Sequence, residues 1–354
     1  MKVLHVGEYV NGGVATYLKT LSSESEKYGV DTYLLMSDYK SEKTWAIDPN
    51  KVFFYTYKRG IFHIFVVMKT IHQYIKKINP DVIHAHSTWA GVFVRFPYLL
   101  KKKKVKIIYS SHGWAFLMDV SPLKKTIYAF IERVLSFVTD KIINISQYEQ
   151  DKAIQYGLNK KKMVMIYNGV VGVKAVEGIS VERMNKEKIN LLFVGRIDHQ
   201  KGLDIFMKTY YQDTFTDIHL YVIGKSVLDD VQLKNDDKTT YLGWVKNEDI
   251  DAYYQACDVV IMPSRWEGFG LVAIEAMRNR KPVIASNRGA LPEIVQNGIT
   301  GYIFDLNKNG ELEEILFNLR RDKLKSMGEK AYKRYMNMFT EDRLKDNTYK
   351  IYKL

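Results

Sequence analysis

Val259-Val-Ile-Met-Pro-Ser-Arg-Trp-Glu267-Gly-Phe-Gly-Leu-Val-Ala-Ile-Glu275-Ala-Met277 reads as a strand, a turn and a helix in immediate succession. Residues 259–262 are apolar without alternation, as in a strand buried on both faces of a parallel sheet. Pro263 and the glycines at 268 and 270 end that run, and a helix is expected over 271–279. Glu267 stands just before the helix and Glu275 about one turn inside it, so both carboxylates line one small site. A carboxylate accepts two hydroxyls at once, so the pair suits a polyhydroxylated ligand such as a sugar or ribose. The amides of Gly268, Phe269 and Gly270 sit at the helix start, placed for phosphate oxygens. Acids complementing a helix dipole explain each Glu singly, but not the glycines between them.

The same strand–turn–helix unit recurs outward in both directions. Upstream, strands are expected at 2–7, 32–36, 52–57, 82–86, 105–110, 141–146 and 163–167. Amphipathic helices are expected from Val14 to Leu21 and at 61–78, 89–101 and 123–138. Residues 171–188 lose the rhythm and turn polar, as a linker does. Strands then follow at 189–194, 218–223, 239–242, 259–262, 282–285 and 302–304, with helices near 202–212, 247–256, 271–279, 309–319 and 322–337. A last helix begins near Thr340, a residue suited to an N-cap. Repeated β-α alternation predicts an α/β fold of doubly wound sheets. Two such blocks predict two Rossmann-like domains facing a cleft: 1–170, then the linker, then 189–337, with a final segment 338–354.

The chain has 354 residues, a length for two domains. Its 46% hydrophobic and 26% charged residues exclude a mostly disordered protein. One cysteine excludes an internal disulfide framework and multi-cysteine metal sites, and suits a reducing cytoplasm. The longest apolar runs, such as the one from Ile61 to Met68, fall far below the ~18 residues of a membrane span. The first residues enter a strand pattern at once, so no signal peptide is expected. Of the net charge of +13, residues 1–170 carry +12, with 25 Lys and Arg against 13 Asp and Glu. That half is expected to meet something anionic: a phosphate-bearing substrate, an acidic membrane surface or nucleic acid.

Further candidates lie at expected strand ends. Gly12-Gly13 follows the first strand and opens a helix. The pair lets amides approach an anion, or simply makes a tight turn; the spacing is not that of a dinucleotide fingerprint. His84 and His86 share one face of their strand. No third metal ligand is evident, so hydrogen-bonded histidines are the commoner outcome and no metal is expected. His112, in Ser-Ser-His-Gly, ends the next strand, as a donor to a sugar hydroxyl or phosphate or as a structural loop histidine. Arg196 and Lys201 flank a strand-to-helix turn. A planar fork, a point charge and a helix terminus converging there suit a diphosphate, against the alternative of a solvated charge pair. Asp249-Ile-Asp251 has the D-x-D form of metal-dependent sugar-nucleotide transferases, but its place at a helix start reads as capping. Cys257 is expected in the core.

Taken together these segments resemble the retaining GT-B glycosyltransferases of glycosyltransferase family 4, over essentially the whole chain. The diagnostic part is E-x7-E, Glu267 to Glu275. Supporting it are GRIDHQKGLD (195–204), YNGV (167–170), the Gly12-Gly13 loop, PDVIHAHS (80–87), SHG (111–113), CDVVIMPS (257–264) and ALPEIVQNGITGYIF (290–304). One departure is Arg288-Gly289-Ala290, where the family often has a Gly-Gly pair. The resemblance implies that Glu267 contacts the transferred sugar and Glu275 the ribose hydroxyls. It implies that Arg196 and Lys201 hold the diphosphate, and that Gly12, Gly13 and the amides near Phe269-Gly270 approach the phosphates or sugar. His112 would approach the donor sugar. The last helix would pack back on the first domain. Transfer would retain anomeric configuration without a metal or other cofactor, the cations and helix amides stabilising the leaving diphosphate.

The expected function is transfer of a hexose-type sugar from a nucleotide-diphosphate donor to a lipid-linked glycan, for a bacterial surface polysaccharide. UDP-sugar is the first expected donor and GDP-mannose the second. A sugar-nucleotide epimerase of the same fold is the alternative enzyme. A nucleic-acid-binding protein is disfavoured, since no helix-turn-helix, RRM or zinc-finger pattern occurs. Lys101, Lys102, Lys103 and Lys104 follow the apolar stretch 92–100, and Ile61–Met68 is flanked by Lys58, Arg59 and Lys69. These suggest peripheral docking on the inner face of the plasma membrane, or merely a solvated loop above core residues.

Overall fold

The computed structural model describes residues 1–57, 61–173, 184–212, 215–226 and 235–354. Most of the linker expected at 171–188, namely 174–183, lies outside the described residues, as do Lys58 and Arg59. The chain divides into two compact units, Met1–Val170 with Glu341–Leu354, and Val171–Thr340.

The first unit runs β1 (Lys2–Gly7), α1 (Gly12–Ser22), β2 (Asp31–Ser37), β3 (Val52–Tyr55), α2 (Ile61–Ile78), β4 (Val82–His86), α3 (Thr88–Arg95), β5 (Lys106–Ser110), α4 (Pro122–Ser136), β6 (Lys141–Asn144), α5 (Gln147–Gln155) and β7 (Met163–Met165). Its strands form one parallel sheet in the order β3-β2-β1-β4-β5-β6-β7. Alternate residues of each strand enter two separate cores. Leu4, Val6, Ile83, Ala85, Ile107 and Tyr109 face Val67 and Ile71 of α2 and Phe93 of α3. Val3, Leu34, Val82 and Ile108 face Tyr17, Leu18 and Leu21 of α1. Both faces are therefore covered, which is why the strands read as continuous apolar runs.

The chain ends in α12 (Glu341–Lys353), which belongs to this first unit. Leu344, Tyr349 and Tyr352 enter the core beside α1. The Tyr349 hydroxyl donates to the Leu21 carbonyl, and Lys106 Nζ donates to the Tyr352 carbonyl at 3.2 Å.

The helix expected at 89–101 stops at Arg95 and continues as a 3-10 turn, Phe96–Leu99. Pro97 has no N–H to carry the α-helical ladder on. Arg95 is itself fully buried. Its guanidinium lies 3.6 Å from the Tyr109 ring centroid and 2.8 Å from Glu132 of α4, whose other oxygen accepts from the Tyr109 hydroxyl at 2.9 Å. This network holds one side of α4. The other side is solvent-exposed and apolar: Leu123 71%, Ile127 47%, Phe130 62%, with Phe137 79% just beyond the helix.

The second unit runs β8 (Ile189–Val194), α6 (Leu203–Gln212), β9 (Ile218–Ile223), β10 (Thr239–Gly243), α7 (Ile250–Ala256), β11 (Val259–Met262), α8 (Leu271–Arg278), β12 (Val283–Ser286), α9 (Leu291–Ile294), β13 (Gly301–Phe304), α10 (Glu311–Phe317) and α11 (Arg321–Met338). Its parallel sheet has the order β10-β9-β8-β11-β12-β13. Cys257 is 1% exposed, in the core as expected.

Candidate active site

Each sheet winds outward from its first strand, then resumes on that strand's other side. The reversals fall between β1 and β4 and between β8 and β11. Ligands of open α/β sheets bind beyond the carboxyl ends of strands at such switch points. In the second unit, β8 ends into Gly195-Arg196 and β11 into Pro263-Ser264-Arg265-Trp266-Glu267. Both segments that the sequence nominates thus lie at one edge.

Backbone packing fixes these two loops. Gly202 (φ +68°) lies so close to the second loop that a Cβ would stand 2.1 Å from the Pro263 carbonyl oxygen. Gly289 (φ +57°) supports the loop from the other side, where a Cβ would stand 1.8 Å from the Glu267 oxygen. Only glycine fits such positions. Polar bonds brace the same loops. The Arg265 amide donates to the Gln200 carbonyl at 2.8 Å, and Gln200 Nε2 donates to the Trp266 carbonyl at 3.3 Å. Arg265 holds Asp204 through both guanidinium ends at 2.8 and 2.6 Å.

Lys201 Nζ reaches Glu267 Oε2 at 2.6 Å, with both side chains largely out of solvent. The Lys201 amide donates to Asp198 Oδ1 at 3.0 Å. Arg196, exposed, lies 3.0 Å from Asp198 and donates to Gln200 Oε1 at 2.9 Å. Gly270 caps α8 in a left-handed conformation, φ +102°. The Phe269 side chain is 3% exposed and packs on Phe339, so at this position it is the backbone that faces the helix start.

Glu275 sits in α8 and accepts from the Tyr254 hydroxyl at 3.0 Å. Burial raises its carboxyl above the usual range, against the opposing charges of Arg278 and Lys201. The D-x-D segment is corrected in its role. Asp249 occupies the cap position of α7 but its side chain makes no capping bond. Asp251 instead ties α7 to α8, accepting from Arg278 at 2.6 Å and Asn279 at 2.7 Å. A short helix packed on a cationic neighbour uses its acid for that ion pair rather than for its own amides.

In the first unit, Gly12 and Gly13 open α1 and are exposed; Asn11 caps them, accepting from the Gly12 amide at 2.6 Å. His112 follows β5 with φ +52°, an uncommon left-handed backbone for a residue with a Cβ. Its Nε2 lies 2.9 Å from His86 Nδ1, and His86 Nε2 lies 2.9 Å from Nδ1 of His5. His84 bonds the Tyr352 hydroxyl at 2.7 Å and Ser110 Oγ at 2.8 Å. Burial lowers all four imidazoles, His5 to about 3 and His112 to about 4, with His84 and His86 well below their ordinary value. His5 is a member of this histidine cluster that the sequence reading missed. Its signal was register: His5 pairs with His84 across β1 and β4, so three histidines fall on one sheet face. Their ring nitrogens lie within 4.8 Å of one another.

Residues 11–171 match the family described as Glycosyltransferase Family 4, and residues 178–334 match Glycosyl transferases group 1. An uncharacterised 41.2 kDa protein of the cps region of Klebsiella pneumoniae is 37% identical over 89% of this chain and 89% of its own. The UDP-Gal:alpha-D-GlcNAc-diphosphoundecaprenol alpha-1,3-galactosyltransferase of Escherichia coli is 25% identical over 78% of this chain and 77% of its own. Among solved structures, the sucrose-phosphate synthase of Thermosynechococcus elongatus superposes with a TM-score of 0.84 at 18% identity, covering 100% of this chain and 98% of that one. With two doubly wound parallel sheets, the E-x7-E acids at a switch point and these relatives, the chain belongs to glycosyltransferase family 4 and is a glycosyltransferase of the GT-B fold.

Proposed function

We propose that the enzyme transfers a hexose from a nucleoside-diphosphate sugar to a lipid-linked glycan, with retention of configuration and without a metal, in the building of a bacterial surface polysaccharide. The observation that carries the reading is the half-buried Lys201–Glu267 pair at the β8/β11 ends, with Glu275 within the field of the same lysine. In this reading Glu275 holds the ribose and Glu267 the transferred sugar. Arg196, Lys201 and the amides of Gly268–Gly270 receive the negative charge that grows on the diphosphate as the glycosidic bond breaks. Gly12 and Gly13 also approach the phosphates, and His112 contributes the first unit's contact to the donor sugar. No side chain is assigned as a covalent nucleophile, so the acceptor hydroxyl attacks from the leaving-group face. The name of the Escherichia coli relative supports UDP-sugar as donor and a diphospholipid-linked acceptor; GDP-mannose is the second donor to try.

The membrane part of the proposal rests on α4. Its outward stripe, Leu123, Ile127 and Phe130, is flanked by Lys124, Lys125 and Arg133, while its one acid, Glu132, is buried against Arg95. Apolar side chains beside cations, with the helix's own acid buried, suit an acidic lipid surface. Lys101, Lys102 and Lys104 are exposed and add to this charge; Lys103 is half-buried and paired with Asp140.

The test is a transfer assay on purified protein with UDP-hexoses and GDP-mannose and a diphospholipid-linked acceptor. It follows nucleoside diphosphate release, the anomer formed and the effect of EDTA. Release matched by a retained-anomer product, unchanged by EDTA, is expected. Epimerised donor without transfer, an inverted anomer, or loss of activity restored by Mn²⁺ would each overturn its part of the proposal.

A further inference from the structure

Three imidazoles of the first unit form a line from the sheet interior to a strand end: His5 Nδ1 to His86 Nε2, then His86 Nδ1 to His112 Nε2, each contact 2.9 Å. His5 and His86 are 1% and 0% exposed, and His112 is half-buried. A tetrahedral zinc ion with bonds of about 2.0–2.1 Å sets its nitrogens about 3.4 Å apart. The observed spacing is that of N–H···N hydrogen bonds instead.

A hydrogen bond between two neutral imidazoles needs one proton, and a neutral imidazole carries one. His86 therefore donates in one of its contacts and accepts in the other. Two orders remain. In the first, His5 Nδ1–H donates to His86, His86 Nδ1–H donates to His112 Nε2, and His112 carries its proton on Nδ1. In the second, every bond is reversed, His112 Nδ1 is a lone pair, and the terminal N–H falls on Nε2 of the buried His5. A terminal N–H is more readily satisfied at a half-buried ring that a ligand or solvent reaches than at His5, which is 1% exposed. The first order places it at the half-buried end, where a ligand oxygen or water accepts it.

We propose that His5 and His86 are positioning residues that fix both the ring of His112 and its tautomer, so that His112 meets the donor sugar as an Nδ1–H hydrogen-bond donor. This rests on the reading of His112 as a donor-sugar contact. It adds that the tautomer is set from His5, two rings away. The uncommon backbone of His112 fits the same role. With φ +52° the residue is held in a conformation that its neighbours must over-determine, and the bond to His86 supplies one such constraint.

The experiment is long-range ¹H–¹⁵N spectroscopy on histidine-labelled protein, joined to transfer kinetics and metal analysis. In wild type, His112 is expected to show a protonated Nδ1 and an unprotonated Nε2. His86→Phe should release His112 into a mixture of tautomers and lower kcat at least tenfold with a smaller change in donor KM. His86→Gln, whose amide can donate to Nε2, should recover part of both. His5→Phe, which leaves His86 and His112 in place, should also shift the His112 tautomer. A protonated Nε2 on His112 in wild type, a His112 tautomer unmoved in folded His5→Phe, or one equivalent of bound metal would overturn the proposal. The wild-type spectrum decides even where a variant fails to fold. It also separates this proposal from the functional reading: a protein that transfers no sugar but shows the Nδ1–H tautomer refutes the sugar contact and leaves the positioning of His112 by His5 and His86 standing.

Discussion

Lys201 and Glu267, 66 positions apart in the chain, meet at 2.6 Å where the loops after β8 and β11 converge. Glu267→Gln keeps the size of the side chain and removes its charge. Sugar transfer is expected to fall about 100-fold or more, on the scale of losing one electrostatic partner of a transition state, while the melting temperature changes little. A folded variant with near-normal turnover would refute the role.

Glu275 is held differently, by the Tyr254 hydroxyl at 3.0 Å and by burial. Glu275→Gln should therefore act on donor binding. A rise in donor Kd of about tenfold, or ~1.4 kcal/mol, is expected from calorimetry, with a smaller effect on kcat. An unchanged Kd would refute a ribose contact.

Gly289→Ala tests the loop geometry. The added methyl would stand 1.8 Å from the Glu267 carbonyl oxygen, on a backbone with φ +57°. The cost is about 1–3 kcal/mol of stability, and activity should fall more than that alone explains, because Glu267 itself is displaced. Denaturant unfolding and transfer rates of the same preparation check both.

The buried histidines make the first unit sensitive to acid. His5 and His112 titrate at about 3 and about 4 in the fold, against 6.5 unfolded. Between pH 6.5 and 4 the unfolded chain binds protons that the native chain refuses. Stability is thus full above pH 6.5 and is lost as pH falls through that window. The loss for these two groups is roughly 4 kcal/mol by pH 5. Denaturant midpoints at pH 7 and pH 5 measure it, and a flat profile would contradict it.

Ile127 and Phe130 are 47% and 62% exposed on α4, so replacing both with Ser should leave the fold intact. Flotation with anionic vesicles should fall at least tenfold. Replacing Lys101, Lys102 and Lys104 with Gln should weaken binding by about 1 kcal/mol per lysine at low salt. Binding unchanged by both sets would remove the docking surface.

The strands were legible because burial on both faces leaves long apolar runs, and the switch-point site because glycines and acids interrupt such a run at 263–270. What escaped was non-local or compressed. Helix α5 has only Ala153 and Glu149 buried, too few for a periodic signal. Its cap, Ser146 accepting from the Glu149 amide at 3.1 Å, was absorbed into the expected strand 141–146. His5 acquires meaning only through its register with His84. The apolar stretch 92–100 is divided: Phe93 and Val94 are 0% exposed, Phe96 and Leu100 are 42% and 82% exposed, and a second exposed stripe lies on α4. Amphipathic periodicity gives the angle of an apolar face, but not whether the core or the solvent receives it.

The place of α12 governs the order in which the molecule is made. A ribosome releases residues 1–170 first, with α1 lacking the helix that covers it and His84 lacking the Tyr352 hydroxyl. The second unit, Val171–Thr340, is contiguous and has every residue of its own in hand before the first is complete. The earlier-synthesised half is thus the later to finish. Its seven-stranded sheet waits for α12 to be made, and that interval is where a chaperone has most to do. Replacing Leu344, Tyr349 and Tyr352 would consequently injure the unit made first rather than the one that directly precedes them in the chain.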